Sequence, residues 1–408
     1  MIKEKINVVG SGTAGLMFAT YLKKMIPDIE VNLYFDKNIK PLLVGESSQP
    51  YISKYFDTIF DSDEEWMNSC NSTYKFYVKH DNWNHNGHSW TFPLCDERSD
   101  SVDFNNLSLS ECESELLNYS KHNVAPRQRT AWHMQSSKLQ PLLLEKCVEL
   151  GVNIISESYK FDKLKDNEYT IDCRGFHGQD SIKQVSPAII NDYAIAGHIP
   201  FDQERYYTQT IAHEVGWNWE IPLQNLLGVG RVFSTKYLSI NEAKHQMNKW
   251  YGLTEFYEVP FKSRYNDTPC TPNNLKIGSA AVFIEPLEST TLMLVTFMTE
   301  TFVELFKSCK FHIDAGFCHY YNHGYREMVN SQVSYIEGFY CISERRDSNY
   351  WKEVTSNYDW YMNKLETNGW PEYFGKYGFQ KFFGSFNKEE EFKHIKLRVN
   401  NENIDTRL

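Results

Sequence analysis

Apolar and polar positions follow two rhythms along the chain. INVVGSGTAGLMFATYLKKMIP, from Ile6 to Pro27, starts as a short apolar run, breaks at glycines, and continues with apolar residues at helical spacing. It reads as strand, turn and helix. IEVNLYFD, ending at Asp36, reads as the next strand, and LQPLLLEKCVELGVNII as a helix running into another. KFDKLKDNEYTIDCRG gives two short strands and a turn. Strands alternating with helices predict a parallel sheet covered by helices. Residues 96–130 and 260–275 are polar and read as loops. From about residue 290 the pattern becomes helical and rich in aromatics, as in MLVTFMTETFVELFKSC and HYYNHGYREMVNSQVSYIEGFYCI. No internal repeat interrupts this order, and the C-terminal KEEEFKHIKLRVNNENIDTRL reads as a solvated tail.

Composition narrows the function. The 408 residues, 41% apolar and 15% aromatic, provide a real core. The net charge of −11, without a long basic stripe, argues against nucleic acid or an anionic membrane as the partner. Nine scattered cysteines without a C-x-x-C speak against disulfides and a zinc ribbon, and fit a reducing cytoplasm. The chain enters a strand-like run at once, so no cleavable leader is expected, and no apolar stretch reaches membrane length.

Gly10-Ser-Gly12-Thr13-Ala14-Gly15 follows a strand and opens a helix. The first glycine permits a tight turn, the second admits a pyrophosphate to the backbone, and the third lets helix and strand meet. The helix start then faces the phosphates with free N–H groups. Asp36 stands where a carboxylate would hold a ribose hydroxyl. NAD and FAD both remain open on this motif. The strand YTIDCRGF, with Asp172 and Gly175 in Asp-x-x-Gly spacing, resembles a late strand of FAD-dependent oxygenases, which favours FAD. IGSAAVFIEP, with Gly278, sits where those proteins bring a second helix terminus to the flavin.

Four stretches together resemble the flavin-dependent tryptophan halogenases. They are VGESS with Glu46 and Ser47, YKFYVKHDNW with Lys75, Lys79 and Trp83, GWNWEIP with Trp217 and Trp219, and FIEPLEST with Glu288 and Ser289. GRVFST and RRDSNYW add to the likeness, which spans roughly residues 5 to 355. The resemblance implies an α/β fold: an FAD-binding, Rossmann-like domain of the flavin monooxygenase (PHBH-like) type, with a largely helical substrate-binding C-terminal region. The expected division is 1–290 and 291–408, with excursions at about 50–130 and 185–275 on the substrate side. It also implies chemistry. Reduced FAD, supplied by a separate flavin reductase, activates oxygen and turns halide into hypohalous acid. Lys75 holds that acid or becomes a haloamine, with Lys79 as runner-up, since both could share one strand face. Glu288 takes the ring proton, and Ser289 orients Glu288 or the halide-bearing group. Thr290 and Thr291 lie near the halide, and the two tryptophans wall the aromatic substrate from the flavin. Glu285 reads as capping at a helix start.

Three departures qualify the match. Thr291 stands where the family has glycine, which leaves halide preference open and points to bromide or iodide over chloride. The C-terminal region is short and shows no paired-tyrosine clamp, so another indole, a phenol or a small aromatic fits better than free tryptophan. The ribose acid is displaced by one residue, since Phe35 stands in strict alignment and Asp36 follows. The many Asn, Lys, Tyr and Ile residues fit an AT-rich source such as a phage. The rival readings are an aromatic hydroxylase of the same fold and a flavin-binding module without chemistry. His80, His85 and His88 raise a metal question, but their asparagine-rich loop lacks a carboxylate–cysteine set, and no metal is expected. A homo-oligomer is compatible with all of this.

Overall fold

The computed structural model describes residues 3–36, 38, 47–94, 131–161, 167–178, 183–370, 382–392 and 394–395. Five parallel strands run in the order Asn274–Lys276, Glu168–Asp172, Lys5–Val9, Glu30–Tyr34 and Asn153–Ile155. The central strand buries Ile6, Val8 and Val9, as strands covered on both faces do. This is the helix-covered parallel sheet that the strand–helix alternation predicted, and it has the Rossmann-like form that the resemblance implied. The helix Thr13–Met25 buries Leu16 through Leu22 against the sheet.

A second sheet of seven strands lies beside it. Its order is Tyr257–Pro260, Tyr193–Pro200, Leu226–Phe233, Trp217–Pro222, Tyr207–Ala212, Tyr77–Asp81 and Ser89–Pro93. All its pairs are antiparallel except Tyr207–Ala212 with Tyr77–Asp81. The segment 260–275, read as a loop, also contains the short strand Arg264–Tyr265 and the first residues of Asn274–Lys276. The expected loop at 96–130 lies outside the described residues.

The helices Thr290–Ser308 and Ala315–Cys341 are the long aromatic helices expected after residue 290. Phe302 packs on Phe18 at 5.4 Å and on Tyr169 at 5.8 Å between ring centroids, so residues on both sides of 290 share one apolar core. The described part of the tail, residues 388–392 and 394–395, is less solvated than its polarity suggested. Phe392 is buried and stacks on Phe383 at 4.1 Å, and Ile395 is buried too. Two apolar side chains among many charges were enough to seat that segment. Among the described residues no helix is long and apolar enough to cross a membrane.

Candidate active site

Between the two sheets lies a cavity of about 660 Å³. At one end it is lined by Gly10, Ser11, Gly12, Thr13 and Ala14. Gly10 ties the turn to both neighbouring strands: its N–H donates to the Tyr34 carbonyl, while Cys173 N–H donates to Val9. A Cβ on Gly10 would stand 2.5 Å from the Cys173 carbonyl oxygen, and one on Gly15 would stand 1.9 Å from the Gly10 carbonyl oxygen. Gly15 does not line the cavity; its job is the close packing of helix on strand. Around Gly12 an added Cβ would meet nothing within 4 Å. The helix starting at Thr13 has no side-chain cap and no acid in its first turn. Its free N–H groups therefore face open space, which is what a diphosphate requires.

Asp36 lines the same end, two residues past the strand Glu30–Tyr34. Its carboxylate accepts hydrogen bonds from the Asn38 backbone at 2.9 Å and the Ser158 hydroxyl at 2.8 Å. Ser47 and Gly278 also line the cavity. Glu46 lies outside the described residues. The uncapped helix start, the space around Gly12 and the acid of Asp36 together fit a dinucleotide such as FAD.

The same cavity reaches Lys75. The strand Thr73–Lys75 pairs with Ala131–His133 and leaves Lys75 with no exposed surface. Its Nζ donates to the Ser48 carbonyl at 2.8 Å. Burial pushes its pKa down to about 8, against the opposing pull of the Glu288 charge. Nearby His133 is held well below the ordinary histidine range by burial, then by Lys75 and Arg205, so it stays neutral. Lys79 does not share a face with Lys75. One strand ends at Lys75, Phe76 lies between strands, and Lys79 sits on the next strand, its side chain about one-third exposed and 3.5 Å from Asp81.

Glu288 and Ser289 line the cavity opposite. Both adopt left-handed backbone, with φ of 64° and 56°. Each such residue costs roughly 1–2 kcal/mol without glycine. The strain is held by the Gln49 side chain, which donates to the Glu288 carbonyl, and by Ser289 N–H to the Pro286 carbonyl at 3.1 Å. Two adjacent strained residues at one cavity are a mark of a site rather than of a simple helix start. The Glu288 carboxylate is buried, with Oε1 3.1 Å from His80 Nε2. Thr291 lines the cavity, whereas Thr290 is buried at the start of the helix Thr290–Ser308 and is not among the lining residues.

Trp217 and Trp219 share one face of their strand, with ring centroids 6.0 Å apart, and both line the cavity. Gly230, directly across from Trp219, leaves room for the indole: a Cβ there would stand 2.0 Å from the ring. Trp217 is anchored from behind, and the residue that anchors it corrects an expectation. Glu285 caps no helix. It is fully buried, and its carboxylate accepts the Trp217 indole N–H at 3.1 Å, the Asn191 amide at 2.9 Å and the Tyr340 hydroxyl. Burial pushes its pKa up to about 7, moderated by Tyr340, Asn191 and Trp217. Glu285 was expected to cap a helix start, but only a short 3-10 turn, Leu287–Ser289, follows it, and the long helix begins at Thr290.

Sequence reasoning missed His80 as a neighbour of Glu288, because the three-histidine run drew attention to metals. The alternation within YVKHD was the available signal: it turns His80 inward beside the buried Val78. It also missed the Glu285–Asn191–Tyr340 set, whose members are far apart in the chain.

Comparison with known proteins identifies the family. The tryptophan halogenase family model matches residues 5–169 and 162–367. Tryptophan 6-halogenase SttH of Streptomyces toxytricini is 26% identical over 86% of this chain and 80% of its own. Tryptophan 7-halogenase RebH of Lentzea aerocolonigenes is 25% identical over 86% and 78%. The crystal structure of a tryptophan halogenase from Shewanella frigidimarina superposes with a TM-score of 0.80 at 20% identity, covering 98% of this chain and 90% of that one. The chain belongs to the tryptophan halogenase family, and it is a flavin-dependent halogenase, an oxidoreductase.

Proposed function

We propose that this halogenase binds reduced FAD along Gly10–Ala14, Asp36, Ser47 and Gly278, takes bromide or iodide in preference to chloride, and halogenates an electron-rich ring through Lys75 and Glu288. A single cavity carries the reading: it is lined at one end by the glycine turn and at the other by a fully buried lysine and a buried glutamate. With oxygen, the bound flavin supplies the oxidising equivalent that converts halide to hypohalous acid. The rest is work for the chain. Lys75 has a basicity lowered enough for the amine to exist near neutral pH, so it can hold the acid or carry the halogen as a haloamine. Glu288 stabilises the cationic ring and accepts its proton, which a desolvated carboxylate does well. Ser289 orients that carboxylate. Trp217 and Trp219 keep the arene away from the flavin, so oxygen is not inserted directly.

Thr291 puts a β-branched side chain on the cavity wall and stiffens the backbone near the halide. Bromide and iodide shed water and give up electrons more readily than chloride. The arene is an indole, a phenol or a similar small aromatic, and a separate reductase provides the reduced flavin. The test is an aerobic assay with FAD, a flavin reductase, NADH, equal concentrations of the halides and an aromatic panel, read by mass. Brominated or iodinated rings should dominate. A clear chloride preference contradicts the halide assignment, and ring products carrying one added oxygen whether or not halide is present contradict the reaction.

A further inference from the structure

The imidazole of His80 stands against the carboxylate on which the proposed ring chemistry depends. His80 lies on the strand Tyr77–Asp81 with no exposed surface, and Glu288 is only 4% exposed. The 3.1 Å between His80 Nε2 and Glu288 Oε1 is an ion-pair distance without hydrogen-bond alignment; both atoms are shut off from solvent with no hydrogen-bond partner, and a small turn of either side chain joins them. On the other side, His80 Nδ1 is 2.7 Å from Thr210 Oγ1, and that oxygen also accepts the Trp83 indole N–H at 2.9 Å. Trp90 and Phe339 pack against the ring, each with its centroid 5.1 Å away.

For a neutral ring, counting protons fixes the tautomer. Thr210 Oγ1 has one hydrogen and two lone pairs, and Trp83 uses one lone pair. If the hydroxyl hydrogen goes to Nδ1, the neutral imidazole keeps its own proton on Nε2, facing Glu288. The other tautomer would set two desolvated lone pairs against each other at 3.1 Å and leave the Thr210 proton seeking a new acceptor. Lys75 from its strand and Tyr335 from the helix Ala315–Cys341 also act electrostatically with Glu288. Oε1 is shut off from solvent beside His80, and Glu288 lines the cavity.

We propose that His80 is a positioning residue for Glu288, donating its Nε2–H to Oε1 and so turning Oε2 toward the ring that must lose a proton. This rests on Glu288 being the proton acceptor. In that step the ring C–H bond breaks, its electron pair restores aromaticity, and the proton passes to Glu288; His80 neither gains nor loses one.

The test uses the complete protein with FAD, an NADH-dependent flavin reductase, bromide and an aromatic that the wild type brominates. His80→Phe lowers kcat for ring bromination on the order of 10- to 100-fold. It leaves KM for the arene and the release of hypobromous acid, read with a thioether trap, unchanged. His80→Gln, which keeps an N–H donor, recovers most of the loss. ¹⁵N-histidine NMR of the wild type, with the signal assigned as the one missing from folded His80→Gln, shows an Nε2-protonated ring. Unchanged kcat in His80→Phe, or failure of His80→Gln to recover the loss, while Glu288→Gln loses ring bromination, overturns the role of His80 alone, and so does an Nδ1-protonated ring. Full ring bromination by Glu288→Gln overturns the reading of Glu288 and this role with it.

Discussion

The two ends of the cavity are built from opposite materials. The nucleotide end is made of backbone: a glycine turn, an uncapped helix start and one acid, all supplied by residues 10 to 36. The reaction end is made of side chains brought from distant places, with Lys75, His80, Thr210, Trp217 and Glu288 on different strands and loops. Its backbone at Glu288 and Ser289 is strained, whereas at Gly10 the positive φ of 114° costs little because the residue is glycine. The contrast has a chemical cause. Any chain of the right shape can offer N–H groups to a diphosphate. On the proposed reading, moving a halogen needs a particular amine and a particular carboxylate, both held out of water.

The comparison breaks most sharply with a single methyl group at the nucleotide end. Gly15→Ala puts a carbon 1.9 Å from the Gly10 carbonyl oxygen, so helix and strand must separate. We expect a loss of stability of at least about 1–3 kcal/mol together with loss of FAD retention, measured by denaturant titration and by flavin absorbance after gel filtration. Unchanged stability and flavin content would show that the turn is not packed as described.

A smaller effect sharpens the other side. Burial raises the Glu285 pKa from its ordinary 4.5 to about 7. The native state therefore holds a proton that the unfolded chain has released over this window. The stability linked to that proton is full below about 4.5 and is lost as pH rises through about 7. The loss is on the order of 1–3 kcal/mol. Glu285→Gln cannot ionise and should remove that part of the slope, seen as a flatter dependence of thermal stability on pH between 5 and 8. An identical slope in the variant would mean that Glu285 does not titrate in this range.

The contrast also explains what could be read from the chain. Gly10, Gly12 and Gly15 announce a turn because each spacing has a local steric meaning, and the parallel sheet follows from alternation of strands and helices. Lys75 is different. On spacing alone it is a strand lysine beside Lys79, and only resemblance to a family singled it out. The break at Phe76, which separates the two lysines, is set by pairing with Ala131–His133 more than fifty residues away. The left-handed backbone at Glu288 and Ser289 leaves no trace in residue type, since neither is glycine or asparagine. Glu285 looked like a cap because its partners, Asn191, Trp217 and Tyr340, are 55 or more residues distant. Local chemistry is legible along a chain; an enclosure assembled from remote segments is not.

The central claim is that oxidant is produced at one end of the cavity and delivered by Lys75 to a ring at the other. It is tested most directly by Lys75→Ala in a single assay that follows trapped hypohalous acid and ring-halogenated product together. The account predicts that oxidant continues to form at the wild-type rate while ring product falls on the order of 100-fold or more. Ring halogenation at the wild-type rate, with the variant folded and holding FAD, would contradict it.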